Sequence, residues 1–217
     1  MPYLKGNFLT TRSEGPDGPR AGPGRPPSTS REEVGHIALE LFENQGFEQT
    51  TMDEIAAAAG IGRRTLFRYY PSKNDIVWGD FDEVLVRLRR ELEGGPANEP
   101  VDRAIRRAVV ASNSYPPEQL DELRIRMTLI TTVPALQGHS MLRYREWRRV
   151  VSDFITERRG DSPEGLEAEV IGYAALSTAM AAFGVWVEHP DSDHEELIAR
   201  GFDALGDFRP SSRRRRE

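Results

Sequence analysis

Hydrophobic residues recur at every third or fourth position along most of the chain, which is the spacing of amphipathic helices. Ahead of a Gly-Gly-Pro break at residues 94–96, this pattern predicts four helices. They begin at Ser28–Ser30, at Thr50 or Thr51, near Arg63 and at Ser72. Glycine or proline ends the first three, because neither residue continues a helix easily. No segment alternates as an exposed strand does, so the pattern predicts an all-α fold.

After the break, the pattern predicts further helices bounded by proline or glycine, at about residues 100–114, 117–133, 135–159, 164–188 and 192–208. The total is therefore about nine helices. Residues 1–27 and 209–217 are too rich in glycine, proline or charge to bury a core, so we expect a disordered N-terminal arm and a disordered tail. The chain between them divides into a first unit at 28–75 and a second at 76–208.

The segment TTMDEIAAAAGIGRRTLFRYYPSK, residues 50–73, has the form of a helix-turn-helix. Thr51 and Glu54 make a capping box at the start of its first helix, and Gly60-Ile61-Gly62 forms the turn. The residues expected to face inward from its second helix are Leu66, Phe67 and Tyr70. In such a unit the second helix lies in the DNA major groove, so the pattern predicts a three-helix DNA-binding domain at 28–75.

Composition and charge narrow the class of protein. Hydrophobic residues at 38% and charged residues at 29% of 217 are typical of a soluble globular protein. The absence of cysteine excludes disulfides, thiolate nucleophiles and cysteine-based zinc fingers. The net charge of −6 is unlike that of a DNA-binding protein, yet residues 63–73 contain four basic residues and no acid. The positive charge is concentrated where a groove-facing helix needs it.

Two segments bear on location. The N-terminus has no continuous apolar region of the length that a secretion signal needs, so we expect a cytoplasmic protein. Residues 170–187 carry no charge over 18 positions, which is close to the length of a membrane span. They are rich in Ala, Gly, Ser and Thr, and Glu169 and Glu188 lie at the two ends. This composition favours a buried helix at a helix–helix interface, with no membrane partner.

The polar side chains of the helix-turn-helix have chemistry that suits DNA. An arginine such as Arg64 can donate two hydrogen bonds to guanine O6 and N7, and Thr65 can contact a thymine methyl group or a phosphate. Tyr69 and Lys73 suit backbone phosphates. In the arm, Arg25 either reaches the minor groove or belongs to a solubilising tail. The candidate DNA-binding residues are Thr50, Thr51, Arg63, Arg64, Thr65, Arg68, Tyr69, Lys73 and Arg25.

The same segment follows the motif F-x-x-T-T-x-x-[DE]-I-A-x-x-A-G-[IV]-x-x-x-T-[LF]-[FY]-x-[YH]-[FY]-x-S-K. The matching residues are Phe47, Thr50-Thr51, Glu54-Ile55-Ala56, Ala59-Gly60-Ile61, Thr65-Leu66-Phe67, Tyr69-Tyr70 and Ser72-Lys73. In these positions the chain resembles the TetR family of bacterial transcriptional regulators. The segment GIGRRTLFRYYPSKNDIVWGDFD, residues 60–82, resembles still more closely the regulators that accompany mycofactocin biosynthesis genes.

This resemblance implies a homodimeric, sequence-specific repressor that a small-molecule effector releases from a pseudo-palindromic operator. It also implies that residues 76–208 form a ligand-binding and dimerisation domain, whose last two helices make a four-helix interface. Small residues in 164–188 and an apolar stripe in 192–208 suit such an interface. The candidate interface residues are Tyr173, Ala174, Ala181, Val185, Leu197, Ile198, Phe202 and Leu205.

The effector is expected to bind among the large apolar faces between residues 100 and 159. Similarity to the mycofactocin group suggests a long-chain acyl-CoA. The segment LRYREWRR, residues 142–149, either holds a phosphate-bearing ligand or forms a charged outer helix face. The candidate ligand-binding residues are Ile105, Val109, Leu123, Met127, Ile130, Met141, Arg145, Trp147 and Arg148.

Other classes of function have less support. Glu188, His189, Asp191, Asp193 and His194 form either a metal cluster or a proline turn before a helix capped by Asp191 or Ser192, and their spacing favours the turn. We therefore expect no metal and no cofactor. The chain lacks the G-x-S-x-G, phosphate-loop and H-E-x-x-H motifs, so we do not expect an enzyme. The remaining alternative is an architectural DNA-binding protein without an effector, which an apolar pocket would argue against.

Overall fold

The computed structural model describes residues 29–160 and 165–207, which form ten α-helices and one short 3-10 turn. These residues contain no strand, so the all-α prediction is confirmed for the part described. The predicted arm at 1–27, with Arg25, and the predicted tail at 209–217 lie outside the described residues.

The helices follow one another with short connections. Their bounds are α1 Arg31–Gln45, α2 Met52–Ala58, α3 Arg63–Tyr69, α4 Lys73–Trp78, α5 Phe81–Glu93, α6 Val101–Ser112, α7 Leu120–Thr132, α8 Pro134–Arg159, α9 Leu166–Glu188 and α10 His194–Asp207, with the 3-10 turn at Pro117–Gln119. Local hydrogen bonds specify the first two helix starts: Ser30 and Glu33 cap α1 reciprocally, and Thr51 and Glu54 do the same for α2.

Helices α1 to α3 pack around one small hydrophobic core. Phe42, Ile55 and Leu66 are buried at its centre, and the ring of Phe47 folds back to lie 5.0 Å from that of Phe42. Gly46 has φ +92°, a conformation that glycine adopts without strain, and this lets the chain reverse after α1. Helices α1 to α3 therefore lie together, and their buried residues belong to the same core cluster as those of the later helices.

The predicted fourth helix is in fact two helices. It breaks at Gly79, whose φ of +58° and ψ of −132° form a backbone conformation that residues other than glycine rarely adopt. Phe81 then begins α5. The single helix predicted to carry both Ile76 and Leu88 inward is therefore wrong, because a glycine conformation overrides the continuous apolar spacing. Helix α4 contacts α1 and α7, whereas α5 contacts α6 and α8. The break thus lies at the junction of the two units.

The C-terminal unit is a bundle in which α9 is central. It packs against α8 on one side and α10 on another. Small residues allow the close approach: a side chain at Gly172 would come within 3.0 Å of the Ser152 hydroxyl. Among the described residues, α9 is also the helix long and apolar enough to cross a membrane, but a core helix of a soluble protein meets the same criterion. Its packing between two helices is in keeping with the core helix.

Candidate nucleic-acid interface and internal cavity

Helix α3 has one buried face and one exposed basic face. Leu66 and Tyr70 are buried against α1 and α2, since residues four apart lie on the same side of a helix. Arg63, Arg64 and Arg68 are exposed, and Arg64 has no intramolecular partner among the described residues. Three of the five basic residues predicted to meet DNA therefore share the solvent side of α3.

Phe67 differs from the prediction. It is expected to face inward, but its side chain is 39% exposed on the same side of α3 as the arginines. The helix turns by about 100° per residue, so the position after buried Leu66 lies at the edge of the core. The guanidinium carbon of Arg63 lies 5.4 Å from the centre of the Phe67 ring. Phe67 is thus an apolar member of this surface that sequence reasoning missed.

Two residues predicted to contact phosphate have polar groups bonded to the loop between α1 and α2. Lys73 Nζ donates hydrogen bonds to the carbonyl oxygens of Phe47 and Thr50, the latter at 3.0 Å, and lies 4.3 Å from the Phe47 ring centre. Thr50 is 1% exposed, and its hydroxyl donates to the Gly46 carbonyl at 2.8 Å. The hydroxyl of Thr50 is therefore buried and bonded within the chain, which does not suit the predicted contact with phosphate.

Two further hydroxyls are partly engaged within the chain. The Tyr69 hydroxyl donates to the carbonyl of Thr29 at 3.2 Å, which anchors the residues before α1 beside α3. The Thr51 hydroxyl donates to the Glu54 carboxylate at 2.8 Å. The backbone N–H of Thr51 and then its hydroxyl hold the pKa of Glu54 below the usual 4.5, because both hydrogen bonds favour the charged carboxylate.

A cavity of about 520 Å³ lies where the two units meet. It falls in the range of small-molecule sites. Four of the predicted ligand-binding residues line it, namely Leu123, Met127, Ile130 and Trp147. Aromatic residues outside the predicted set also line it, namely Trp78, Phe81, Tyr144 and Phe183. The break at Gly79 brings Trp78 and Phe81 to the cavity. In the sequence their apolar spacing is that of ordinary core residues, because the spacing does not reveal the break.

The other five predicted ligand-binding residues lie elsewhere. Ile105 and Val109 are buried in the packing of α6, and Met141 and Arg145 are exposed on α8. Arg148 is buried away from the cavity, with its guanidinium 3.8 Å from the Tyr173 ring centre. The arginines of segment 142–149 therefore do not line this cavity, because only one face of α8 points toward it.

The polar edge of the cavity comes from other helices. Arg31 of α1, Arg87 of α5 and Arg126 of α7 contribute to it, together with the acids Glu32, Asp80, Glu83 and Glu122. Arg87 donates to the Tyr115 hydroxyl at 2.8 Å and lies over its ring. The edge therefore offers both donors and acceptors to a ligand rather than charge of one sign.

A hydrogen-bond network joins this cavity to the DNA-binding unit. Arg126 Nη1 donates to the carbonyl oxygens of Ile76 and Val77 at 2.6 and 2.7 Å, at the end of α4. Arg31, the first residue of α1, donates to the Asp80 carboxylate at 3.1 Å. The Tyr70 hydroxyl in turn donates to the Arg31 carbonyl at 2.9 Å. A ligand that displaces the cavity wall would therefore act on the contacts that orient α1 and α4.

Helix α9 presents an apolar stripe to solvent. Its large exposed members are Leu166, Val170, Tyr173 and Val185, with Leu205 on α10. Of the predicted interface residues, Tyr173, Ala181, Val185 and Leu205 are exposed, whereas Ala174, Leu197 and Phe202 are half-buried. Ile198 is fully buried within the subunit, so its predicted place at an interface is wrong. It faces the core because α10 packs on both α6 and α9.

The acidic and histidine segment before α10 forms a turn and a helix cap. Asp193 accepts hydrogen bonds from the backbone N–H groups of Glu195 and Glu196, so it caps α10 in place of Asp191 or Ser192. His194 is buried, and its Nε2 donates to the Asn113 carbonyl at 2.8 Å. Across the described ranges, no group of three potential ligands could hold a metal ion.

An exposed basic second helix in a helix-turn-helix, joined to a helical unit with a cavity, defines a DNA-binding regulator. Residues 36–77 match the family described as bacterial regulatory proteins, tetR family, and residues 99–210 match the MftR C-terminal domain. The chain is 36% identical over 183 residues to the mycofactocin biosynthesis transcriptional regulator MftR of Mycobacterium tuberculosis, which covers 84% of this chain and 92% of that protein. It is 27% identical over 188 residues to the transcriptional regulator TcmR of Streptomyces glaucescens, covering 83% of each.

The fold is shared with FadR of Thermus thermophilus, a TetR-family repressor whose crystal structure contains lauroyl-CoA. The TM-score is 0.58 at 20% identity, over 87% of this chain and 99% of that one. The chain therefore belongs to the TetR family of bacterial transcriptional regulators. Its C-terminal half is of the MftR type. The predicted family and class of function are confirmed, since MftR and TcmR are both regulators rather than enzymes.

Proposed function

We propose that this protein is a cytoplasmic repressor whose release from its operator is controlled by a small molecule in the cavity at the junction of the two units. The observation that carries the proposal is that this cavity is lined both by α7 to α9 and by residues of the DNA-binding unit, Arg31 and Tyr70. A ligand there changes the contacts of α1 and α4 directly. DNA and ligand are then coupled because each prefers a different arrangement of the two units.

Helix α3 is proposed to enter the major groove. Arg63, Arg64 and Arg68 supply donors to guanine or to phosphate, and Thr65 and Phe67 supply apolar contact to thymine methyl groups. Thr51 and Tyr69 lie at the edges of this surface, where they suit phosphates. Thr50 and Lys73 are left out of the proposed contacts, because the structure uses their polar groups to hold the loop before α2.

The protein is proposed to act as a homodimer through α9 and α10. The apolar stripe of Tyr173, Ala181 and Val185 is the surface that such an interface would bury, and Leu205 of α10 extends it. A second copy related by a two-fold axis would bring α3 to two major grooves of a pseudo-palindromic site. Half-sites about one or two turns of DNA apart are expected on this geometry.

The effector is proposed to be an amphipathic molecule, with a long-chain acyl-CoA as the first candidate. Trp78, Met127 and Phe183 provide an apolar interior, and Arg31, Arg87 and Arg126 place positive charge at its edge. Support also comes from the lauroyl-CoA found in the FadR structure, which shares this fold. The acids at the same edge would repel phosphate groups placed beside them. We therefore expect the acyl chain to enter the cavity and the CoA phosphates to stay outside it.

A binding experiment tests the proposal. A preferred duplex is first selected from a random DNA pool with the purified protein, and its affinity is measured by fluorescence anisotropy at fixed salt. Lauroyl-CoA is then titrated, with free CoA and dodecanoate as matched controls. We expect lauroyl-CoA to release the DNA and neither control to do so. Arg64→Ala should bind the preferred duplex with a binding free energy weaker by about 1–3 kcal/mol and with less selectivity.

Three outcomes separate the parts of the proposal. Failure to enrich any duplex refutes sequence-specific binding. Enrichment without release by any amphiphile tested favours an architectural DNA-binding protein. Release by free CoA as well would place the ligand outside the apolar cavity.

A further inference from the structure

Asp53 and Arg63 form an ion pair across the turn of the helix-turn-helix. Asp53 is the second residue of α2, and Arg63 is the first residue of α3. Both carboxylate oxygens of Asp53 lie 2.8 Å from the same nitrogen, Arg63 Nη1. The acid therefore sits on the surface proposed to face DNA, where an unpaired carboxylate would be repelled by phosphates.

The geometry of this pair leaves most of the guanidinium free. An arginine carries five N–H donors, and the Asp53 carboxylate takes up only Nη1. The Nε and Nη2 donors remain along another edge of the planar group. The Phe67 ring, 5.4 Å from the guanidinium carbon, lies against the same group. Arg63 is thus held at Nη1 and supported by the ring, with a two-donor fork still open.

Stability of the fold does not account for this arrangement. Both side chains are 64% exposed, and ion pairs with this exposure contribute little to folding. The ion pair instead restricts the flexible Arg63 side chain before it binds DNA. This favours binding, because ordering a long side chain on association costs free energy. A fork of two donors matches the O6 and N7 acceptors of guanine in the major groove. Arg64, the next residue of α3, has no such support among the described residues.

We propose that Asp53 is a specificity-determining residue, which positions Arg63 so that its Nε and Nη2 groups read one guanine. The inference rests on the proposed function in one respect, that α3 enters the major groove. Asp53 itself does not contact the guanine. It acts through Arg63, and the two residues with Phe67 form one recognition unit.

The experiment measures affinity for the selected duplex and for every single-base substitution of it, at fixed salt. Asp53→Ala and Arg63→Ala are compared with Asp82→Ala, which removes an exposed acid on α5 away from α3. We expect Asp53→Ala and Arg63→Ala each to weaken binding to the preferred duplex roughly tenfold and to lose preference at the same base pair. The double variant should be no weaker than Arg63→Ala alone, because the two residues act together. Asp82→Ala should keep the preference.

A chemical substitution in the DNA gives an independent readout. Replacing the guanine at that base pair by 7-deazaguanine removes the N7 acceptor. The affinity of the wild type for the duplex should therefore fall, whereas the affinities of Arg63→Ala and Asp53→Ala should change little. An Asp53→Ala variant that binds all sequences more tightly would overturn the inference, because the acid would then simply neutralise Arg63. A base preference unchanged by Asp53→Ala, when the wild type does select a duplex, would overturn this inference alone. A wild type that selects no duplex would overturn the proposed function as well.

Discussion

Replacement of Gly79 by alanine tests whether the break between α4 and α5 is structurally required. The native φ of +58° and ψ of −132° cost a residue with a Cβ atom about 1–3 kcal/mol. The added Cβ would also lie 3.0 to 3.2 Å from the Arg126 guanidinium, which is tighter than an ordinary contact. Arg126 cannot move away freely, because it is bonded to the carbonyl oxygens of Ile76 and Val77.

These two effects add to a sizeable loss. A hydrogen bond to a charged group contributes about 1.5–3 kcal/mol when intact, and the added Cβ atom weakens those of Arg126 only in part. With the backbone strain, we expect Gly79→Ala to lower the free energy of unfolding by roughly 3 kcal/mol. For a chain of this size that corresponds to a Tm lowered by about 6–12 °C. The assay is thermal unfolding followed by circular dichroism at one fixed protein concentration, because dimerisation would make Tm concentration-dependent.

Gly138→Ala is the matched control. Gly138 lies in α8, and a Cβ atom there meets no neighbouring atom within 4 Å. Alanine is favoured over glycine in a helix by about 1 kcal/mol, so this variant should be slightly more stable than the wild type. A Gly79→Ala variant as stable as Gly138→Ala would refute the argument that the glycine conformation and Arg126 together hold the junction. The Gly79→Ala, Arg126→Ala double variant separates the two causes, since it keeps the backbone strain but removes the crowding.

Three further outcomes are expected. Lys73→Ala should lower Tm while leaving the slope of log affinity against log salt unchanged, and a slope smaller by about 0.9 would instead indicate a direct phosphate contact. Val185→Glu should give a monomer in sedimentation, whereas Val86→Glu, on the exposed side of α5, should not, and equal behaviour of the two would count against the α9 interface. Glu54→Gln should be less stable than the wild type above pH 4.5, since the folded-state pKa of Glu54 is lowered. That difference should vanish as the pH falls through the folded pKa, and a constant gap in Tm at all pH values would contradict it.

The helix starts were predictable because they depend on residues three positions apart. Ser30 with Glu33 and Thr51 with Glu54 form capping boxes from local hydrogen bonds, whatever the rest of the chain does. The predicted continuity of the fourth helix is wrong, because it breaks at Gly79 and resumes at Phe81. Residues 76–88 keep the apolar spacing of a helix, and nothing in that spacing reports the backbone angles of Gly79.

The surface of α3 was predictable in part for the same reason. Arg64 and Arg68 lie opposite Leu66 by helical period alone, whereas Arg63 is exposed at the first residue of α3. The inward position predicted for Phe67 follows from the usual burial of hydrophobic residues. A helix of 7 residues that packs mainly on α2, another helix of 7 residues, nevertheless leaves one of its aromatic side chains partly exposed. The extent of burial depends on the size of the neighbouring helices, which a pattern does not give.

The all-helical class, the helix-turn-helix, the family and the basic face of α3 can all be predicted from the chain, because they depend on short-range spacing and on a dense motif. Which polar groups remain free to bind depends on how the helices pack. Lys73 and Thr50 use theirs on carbonyl oxygens of the loop before α2, and Asp53 meets Arg63 across a turn. The packing also decides where the cavity lies, since Trp78, Phe183 and Arg31 come together only when distant helices pack. Hydrogen-bond partners and voids depend on distances between elements, and those distances exist only once the chain has folded.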